Sequence, residues 1–305
     1  MKKEWLFLII LFLSGTGFLI FGLSRGHHQD PISSPNQVNR IVCLAPNLTE
    51  ILFALGLGEK VVAVSNDSDH PPEAITKNNV GTFWQPNIEA IIASEPDLVT
   101  TLCFEQHKSI ADSLKRLGYK VLTLKIEKIE ELFSAIQKIG TATGCEQRAE
   151  QLVKSIREKL ENLQMKLGST KKVKVLCVVQ TEPLRVAGRD TFVNELIELA
   201  GGENAIGPTI HKYPPISTEE LLACEPQAII QSAMSTNDLL AQQKAAEKFW
   251  RRYPTLHAVK NNRIYVVEAD TILRLGPRLP QGLKLIAQCL YPHIQKQEMI
   301  SQKDK

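Results

Sequence analysis

From Cys145 to Leu167 the chain reads CEQRAEQLVKSIREKLENLQMKL, and this stretch constrains what can stand on either side of it. Ala149, Leu152, Val153, Ile156, Leu160, Leu163 and Leu167 recur at steps of three and four, which lays one apolar stripe along a helix. Neither Gly nor Pro interrupts the run, and most of its residues are strong helix formers. At ~1.5 Å per residue such a helix spans roughly 35 Å, about the diameter of a small domain.

The sequence before and after this helix is of one kind, met twice. NIEAIIASEPDLVTTL (Asn87 to Leu102) and STEELLACEPQAIIQS (Ser217 to Ser232) align without a gap, Glu89 on Glu219 and Pro96 on Pro226. Each is a short helix with a glutamate in its first turn, then A-x-E-P, then a β-like run. A second pair agrees more loosely. IVCL (Ile41 to Leu44) and VLCV (Val175 to Val178) each lead to a helix that ends in glycine. Two copies at this spacing predict two similar α/β lobes with mainly parallel sheets, rather than a solenoid of short repeats. One long rigid helix joins them, and it limits hinge motion because bending would break its hydrogen-bond ladder.

With 305 residues, 43% of them hydrophobic, the chain can fill two ordinary cores. A net charge of +3 and the lack of any basic run interleaved with aromatics exclude nucleic acid as a partner. Its six cysteines, Cys43, Cys103, Cys145, Cys177, Cys224 and Cys289, form no C-x-x-C pair and no zinc spacing. Cys43 and Cys177 fall inside predicted strands, where a thiol packs as a small hydrophobe. His70, His107, His211 and His257 are scattered, so no metal site is expected from them.

Residues 1–24 carry Lys2 and Lys3 followed by an apolar run from Trp5 to Leu23, which predicts a signal peptide or a retained single-span anchor. No cysteine lies there to take a lipid. Residues 25–39 read as a linker, 40–140 as the amino-terminal lobe and 141–171 as the connecting helix with its basic spacer. Residues 172–293 read as the carboxy-terminal lobe and 294–305 as a polar tail. Thr49 is the expected N-cap of a helix running to Leu55. TEPLRVAGRDT after the first strand of the second lobe and EADTILRLGPR after its last strand are expected to be loops, and the final helix to begin near Leu283.

In parallel sheets, ligands bind at loops beyond the carboxyl ends of the strands. Those loops carry Asn47, Asp67, Phe83, Trp84, Arg185, Tyr213 and Asp270. Only 6% of the residues are Phe, Trp or Tyr, yet aromatics collect in these loops, where they suit stacking on a large flat ligand. No nucleophile elbow, phosphate loop, dinucleotide fingerprint or H-E-x-x-H is present, and no catalytic constellation stands out. Equivalent Glu89 and Glu219, one per lobe, would offer a partner two matching docking charges.

The segments RIVCLAPNLTEILFALGLGEKVVAVSNDSDHPPEA, VGTFWQPNIEAIIASEPDLV, AGRDTFVNELIELAGGENAIG and YPPISTEELLACEPQAII resemble the periplasmic binding proteins of cobalamin and ferric-siderophore ABC importers, and the cobalamin branch most of all. The resemblance runs from about Arg40 to about Pro292. It implies a ligand cleft between the two lobes, no catalysis, no metal and no cofactor of its own, and a monomer at the periplasmic or outer face of the cytoplasmic membrane. The implied cargo is cobalamin or a related cobamide, handed to an ABC permease with its ATPase. A ferric siderophore or haem is the alternative cargo, and a membrane-tethered corrinoid- or siderophore-modifying enzyme a more distant one. By the same resemblance Glu89 and Glu219 meet the permease. Phe83 or Trp84, with Tyr213, hold the ring, and Asn47, Asp67, Arg185, Asp270 and Arg274 line the rest of the cleft. Arg185 stands where the family usually has an aromatic, Asp67 replaces another aromatic, and Thr271 stands where the cobalamin branch tends to carry Trp. The implied cleft is therefore more charged than a standard cobalamin site, and Arg185 suits a carboxylate or phosphate on the cargo.

Overall fold

The structure, a computed structural model, describes residues 38–168, 171–233 and 238–292. The predicted signal or anchor segment, all but the last two residues of the predicted linker, and the predicted tail lie outside the described residues, as does the span from Trp5 to Leu23.

The first lobe runs β1 (Ile41–Cys43), α1 (Pro46–Ala54), β2 (Val61–Val64), β3 (Asn78–Asn79), α2 (Ile88–Ala93), β4 (Leu98–Leu102), α3 (Glu105–Arg116) and β5 (Val121–Leu124). Its sheet has the order β3-β2-β1-β4-β5 and is parallel throughout. Two helices follow, α4 (Ile129–Thr143) and α5 (Glu146–Leu167). The second lobe runs β6 (Val173–Thr181), β7 (Leu184–Val186), α6 (Phe192–Leu199), β8 (Gly202–Asn204), α7 (Thr218–Ala223), β9 (Ala228–Ala233), α8 (Leu239–Trp250), α9 (His257–Lys260), β10 (Ile264–Glu268), α10 (Ala269–Leu273) and α11 (Leu279–Leu290). Its sheet runs β10-β9-β6-β7, with β8 also on β6; β7 alone is antiparallel.

The long helix predicted from Cys145 is α5, with Cys145 at its N-cap position. Ala149, Val153, Ile156, Leu160 and Leu167 are buried along its stripe, while Leu152 and Leu163 are half-buried at its margin. Tight pairing of α4 with α5 needs Gly140, because a Cβ there would stand 2.6 Å from Ala149 Cβ. Arg157 of α5 stacks over Phe133 of α4 at 4.2 Å and grips Glu130 with two hydrogen bonds. One continuous core cluster runs from Ile41 and Leu52 in the first lobe through Ile136 and Ile156 to Leu196 and Leu283 in the second.

The internal repeat holds at the level of single hydrogen bonds. Helices α2 and α7 are each six residues long, capped by Asn87 and Ser217 side chains, and each runs into a left-handed glutamate before proline, Glu95 at φ 47° and Glu225 at φ 44°. Beyond the proline, Asp97 N–H donates to Arg40 O at 2.8 Å and Gln227 N–H to Lys174 O at 2.8 Å. Helices α1 and α6 are followed by Gly56 and Gly201, both left-handed.

Thr49 does not cap α1. Pro46 occupies its first turn, Ala45 is the N-cap, and Thr49 is buried inside the helix with its hydroxyl bonded to Ala45 O at 3.3 Å. The stretch expected as a loop after β6 contains β7, because Leu184, Arg185 and Val186 fold back on β6 as a hairpin. EADTILRLGPR contains α10, and α11 starts at Leu279 with Pro280 in its first turn. All six cysteines are free thiols; burial pushes those of Cys177 and Cys289 up to about 12.

Candidate functional site

Parallel strands aim their carboxyl ends the same way, so the loops after β1, β2, β3 and β4 share one rim of the first lobe. One of these is the hairpin at Val80 to Asn87, closed by a bridge between Gly81 and Pro86. Gly81 sits at φ 96°, and a Cβ there would stand 2.5 Å from Gln85 O, so the turn admits no side chain at this position. Phe83 and Trp84 are at its tip. Phe83 is half-buried and tied at both ends of its peptide unit: its N–H donates to Asp67 Oδ2 at 2.6 Å and its carbonyl accepts from His107 at 2.6 Å. Trp84 is 63% exposed. Its indole meets Phe83 edge-on at 5.0 Å and Phe104 edge-on at 5.9 Å, and Phe83 stacks on Phe104 at 5.2 Å.

The second lobe offers Arg185 and Tyr213. Arg185, on the β7 hairpin, donates to Tyr213 O at 3.2 Å and pairs with Pro215 through its backbone. Tyr213 packs its ring on the same continuous core cluster that Phe83 touches from the first lobe. Burial, with a smaller push from Cys177, raises the Tyr213 hydroxyl to about 12, so it is a neutral phenol at physiological pH.

Asn47 and Arg274 belong to the joint between the lobes. Asn47 is buried; its amide donates to Leu275 O across the joint at 3.2 Å and its Oδ1 takes the Leu48 N–H. Arg274 contacts Glu50 at 3.3 Å, Asp69 at 2.7 Å and Asp270 at 3.0 Å, and Arg278 holds Glu50 through two hydrogen bonds of 2.7 and 2.9 Å. Burial raises Asp270, whereas at Asp69 the opposing hydrogen bond and charge of Arg274 outweigh burial and hold the carboxyl low. A second set of contacts crosses between the lobes near Ile129. Glu195 accepts its N–H at 2.8 Å, Lys128 meets Asp190 at 2.7 Å and Lys212 meets Glu127 at 2.7 Å. The loops carrying Asp67 and Tyr213 are thus each tied to the opposite lobe. Glu50, Arg278 and Phe104 escaped the sequence reading, and His107 figured there only among the scattered histidines. Glu50 is a buried charge whose partners, Arg274 and Arg278, lie more than 200 residues away, and nothing local marks it.

Glu89 and Glu219 are both exposed in the first turns of α2 and α7, clear of this set. The Glu219 carboxyl is held low by its own backbone N–H and the Ser217 hydroxyl. No group of His, Cys, Asp and Glu that could hold a metal occurs among the described residues.

A sequence profile of the periplasmic binding protein family matches residues 41–271. The chain belongs to this family. Among its relatives is the uncharacterized ABC transporter substrate-binding lipoprotein YvrC of Bacillus subtilis, 33% identical over 274 residues, which cover 87% of this chain and 83% of the relative. The periplasmic vitamin B12 binding protein BtuF of Vibrio cholerae shares the fold at TM-score 0.72 and 26% identity, over 85% of this chain and 98% of that one. A periplasmic heme binding protein of Pseudomonas aeruginosa does so at TM-score 0.73 and 30% identity, over 84% and 93%. Membership makes this periplasmic binding protein the substrate-binding part of an ABC transporter, with permease and ATPase as its partners, and a binder rather than an enzyme.

Proposed function

We propose that the protein captures a corrinoid of the cobalamin type outside the cytoplasmic membrane and delivers it to an ABC import permease. What supports this reading is a set of aromatic side chains in each lobe. Trp84 packs edge-on against Phe83 and Phe104 in the first lobe, Tyr213 lies beside Arg185 in the second, and Phe83 and Tyr213 both pack on the continuous core. Aromatic faces set in opposite lobes suit a wide, flat ring system, each contact contributing ~0.5–1.5 kcal/mol beyond area burial. Arg185 suits a carboxylate, phosphate or amide oxygen on the ring's periphery. Glu89 and Glu219 act as the permease-docking charges. The relative named for vitamin B12 supports this cargo; the relative named for heme supports the second reading, in which haem or a ferric siderophore fills the same cleft.

A corrinoid and a haem make different demands on such a site. Protein-bound haem iron takes an axial ligand such as His, Cys, Met or tyrosinate. His107 spends both ring nitrogens on internal hydrogen bonds and offers none to an iron. A corrinoid carries its own axial ligands and asks only for shape, stacking and hydrogen bonds.

Titration of the full-length protein with cyanocobalamin, followed by calorimetry and visible absorbance, tests this. One-to-one binding with sub-micromolar Kd is expected, weakened about tenfold or more by Trp84→Ala and by Tyr213→Ala. Absence of binding with tight uptake of haem would replace the corrinoid by haem.

A further inference from the structure

His107, on α3, is 0% exposed, and the reading above gives it no contact with the cargo. Its Nε2 lies 2.6 Å from the Phe83 carbonyl oxygen and its Nδ1 lies 2.7 Å from Thr101 Oγ1 on β4. A carbonyl can only accept, so Nε2 carries the proton and Nδ1 accepts from the threonine hydroxyl. The result is a directed relay, Thr101 O–H to Nδ1 and Nε2–H to Phe83 O, that runs from a buried central strand to the tip of the aromatic hairpin. Burial lowers the pKa of the imidazole and keeps it in this neutral form. The ring also supports the wall by contact, lying 4.8 Å from Phe104 and 5.1 Å from Phe83.

We propose that His107 is the positioning residue of the cargo-stacking wall: its single donor fixes Phe83, and through Phe83 sets the height and tilt at which the exposed Trp84 indole is presented. The inference rests on the reading that Trp84 meets the cargo, but the placement of Trp84 is measurable without any cargo. Removing the donor leaves the Phe83 carbonyl short of a partner in a half-buried place, and the hairpin can regain that partner only by moving toward water. Phe83 N–H remains tied to Asp67, so the hairpin would pivot rather than detach.

Three variants of the full-length protein in detergent decide it, in a Trp5→Phe background that leaves exposed Trp84 and fully buried Trp250 as the only indoles. His107→Phe keeps the volume and removes both hydrogen bonds. His107→Gln keeps a donor in reach of Phe83, and Thr101→Val removes the group that orients the ring. The expected result is lower tryptophan fluorescence anisotropy in His107→Phe, with Trp84 freed, and return toward the wild-type value in His107→Gln. Affinity for cyanocobalamin should fall about tenfold in His107→Phe and recover to within about threefold in His107→Gln, with Thr101→Val between them. Wild-type anisotropy in a folded His107→Phe would overturn the proposal, as would equal losses in His107→Phe and His107→Gln. Should His107→Phe fail to fold, the anisotropy of Thr101→Val against His107→Gln carries the decision. If the wild type binds no corrinoid, the corrinoid reading fails while the anisotropies still decide the role of His107.

Discussion

Arg274 makes more ionic contacts than any other side chain described, and its neighbours respond in opposite directions. Asp69, with its carboxyl held low, binds its last proton less tightly folded than unfolded. Its contribution is therefore fully present above the ordinary carboxylate range and is lost as pH falls through the folded value. Asp270, raised by burial, has the opposite sign and favours the folded state more as pH falls. Thermal unfolding of Asp69→Asn should consequently lie below wild type at pH 7 and converge on it as the pH falls below the ordinary carboxylate range. A gap that widens on acidification would show that the Arg274 contact to Asp69 contributes nothing to folding. At this scale the sequence was least informative. Asp67 could be named as a loop residue, yet that its carboxylate is taken by the Phe83 N–H depends on two loops sixteen residues apart meeting. Arg274 could be placed in the cleft by resemblance, but not assigned its three carboxylate partners, which lie on both sides of the joint.

Elements were far more legible, and the reasons for success and failure are local. Helix α5 could be bounded almost to the residue because its apolar stripe ends against glycine. The A-x-E-P repeat told of paired helices because proline forces the preceding glutamate out of the helical region, in both copies into the left-handed one. Helix α1 was misread at its start because Thr49 has the chemistry of a cap, whereas Pro46 at the first turn decided the matter without one. Hairpin strand β7 was missed because three residues, one of them Arg185, carry too little alternation to register. On α2 and α7 Glu89 and Glu219 are exposed, and Glu219 is held only by its own N–H and the Ser217 hydroxyl. Glu89→Gln and Glu219→Gln should leave thermal stability and ligand affinity within about twofold of wild type, since exposed substitutions of this kind cost little. With the cognate permease and ATPase in proteoliposomes, the double variant should lose about tenfold of binding-protein-stimulated ATP hydrolysis. Full stimulation by the double variant would remove these residues from the docking surface.

Across the whole molecule the two lobes hold each other by a near-symmetric exchange. Glu50 and Glu195 occupy the same place in α1 and α6, each six residues before the left-handed glycine that follows its helix. Glu50 reaches the Arg274–Arg278 segment ahead of α11, and Glu195 reaches the first N–H of α4, the corresponding helix after the last strand of the other lobe. The exchange is unequal in strength, because Glu50 is 3% exposed and faces two guanidinium groups whereas Glu195 meets one amide. Removing the carboxylate in Glu50→Ala leaves Arg278, whose own pKa is raised mainly by that hydrogen bond, without its acid. A loss of about 3 kcal/mol is expected in chemical unfolding, as when one member of a buried pair is deleted. A loss below about 1 kcal/mol would mean that packing across the joint, rather than this cluster, fixes the lobes.

The β7 hairpin breaks that symmetry. It is inserted after β6 in the second lobe, and the matching place in the first lobe, between β1 and α1, has only Leu44 and Ala45. A grip whose two jaws were alike would accept an unsymmetrical guest either way round. One jaw with an indole and one with an arginine beside a phenol accept it one way only. On the proposed reading every passenger therefore arrives at the membrane with the same end leading, and the direction of unloading is already written into the carrier before the two proteins meet.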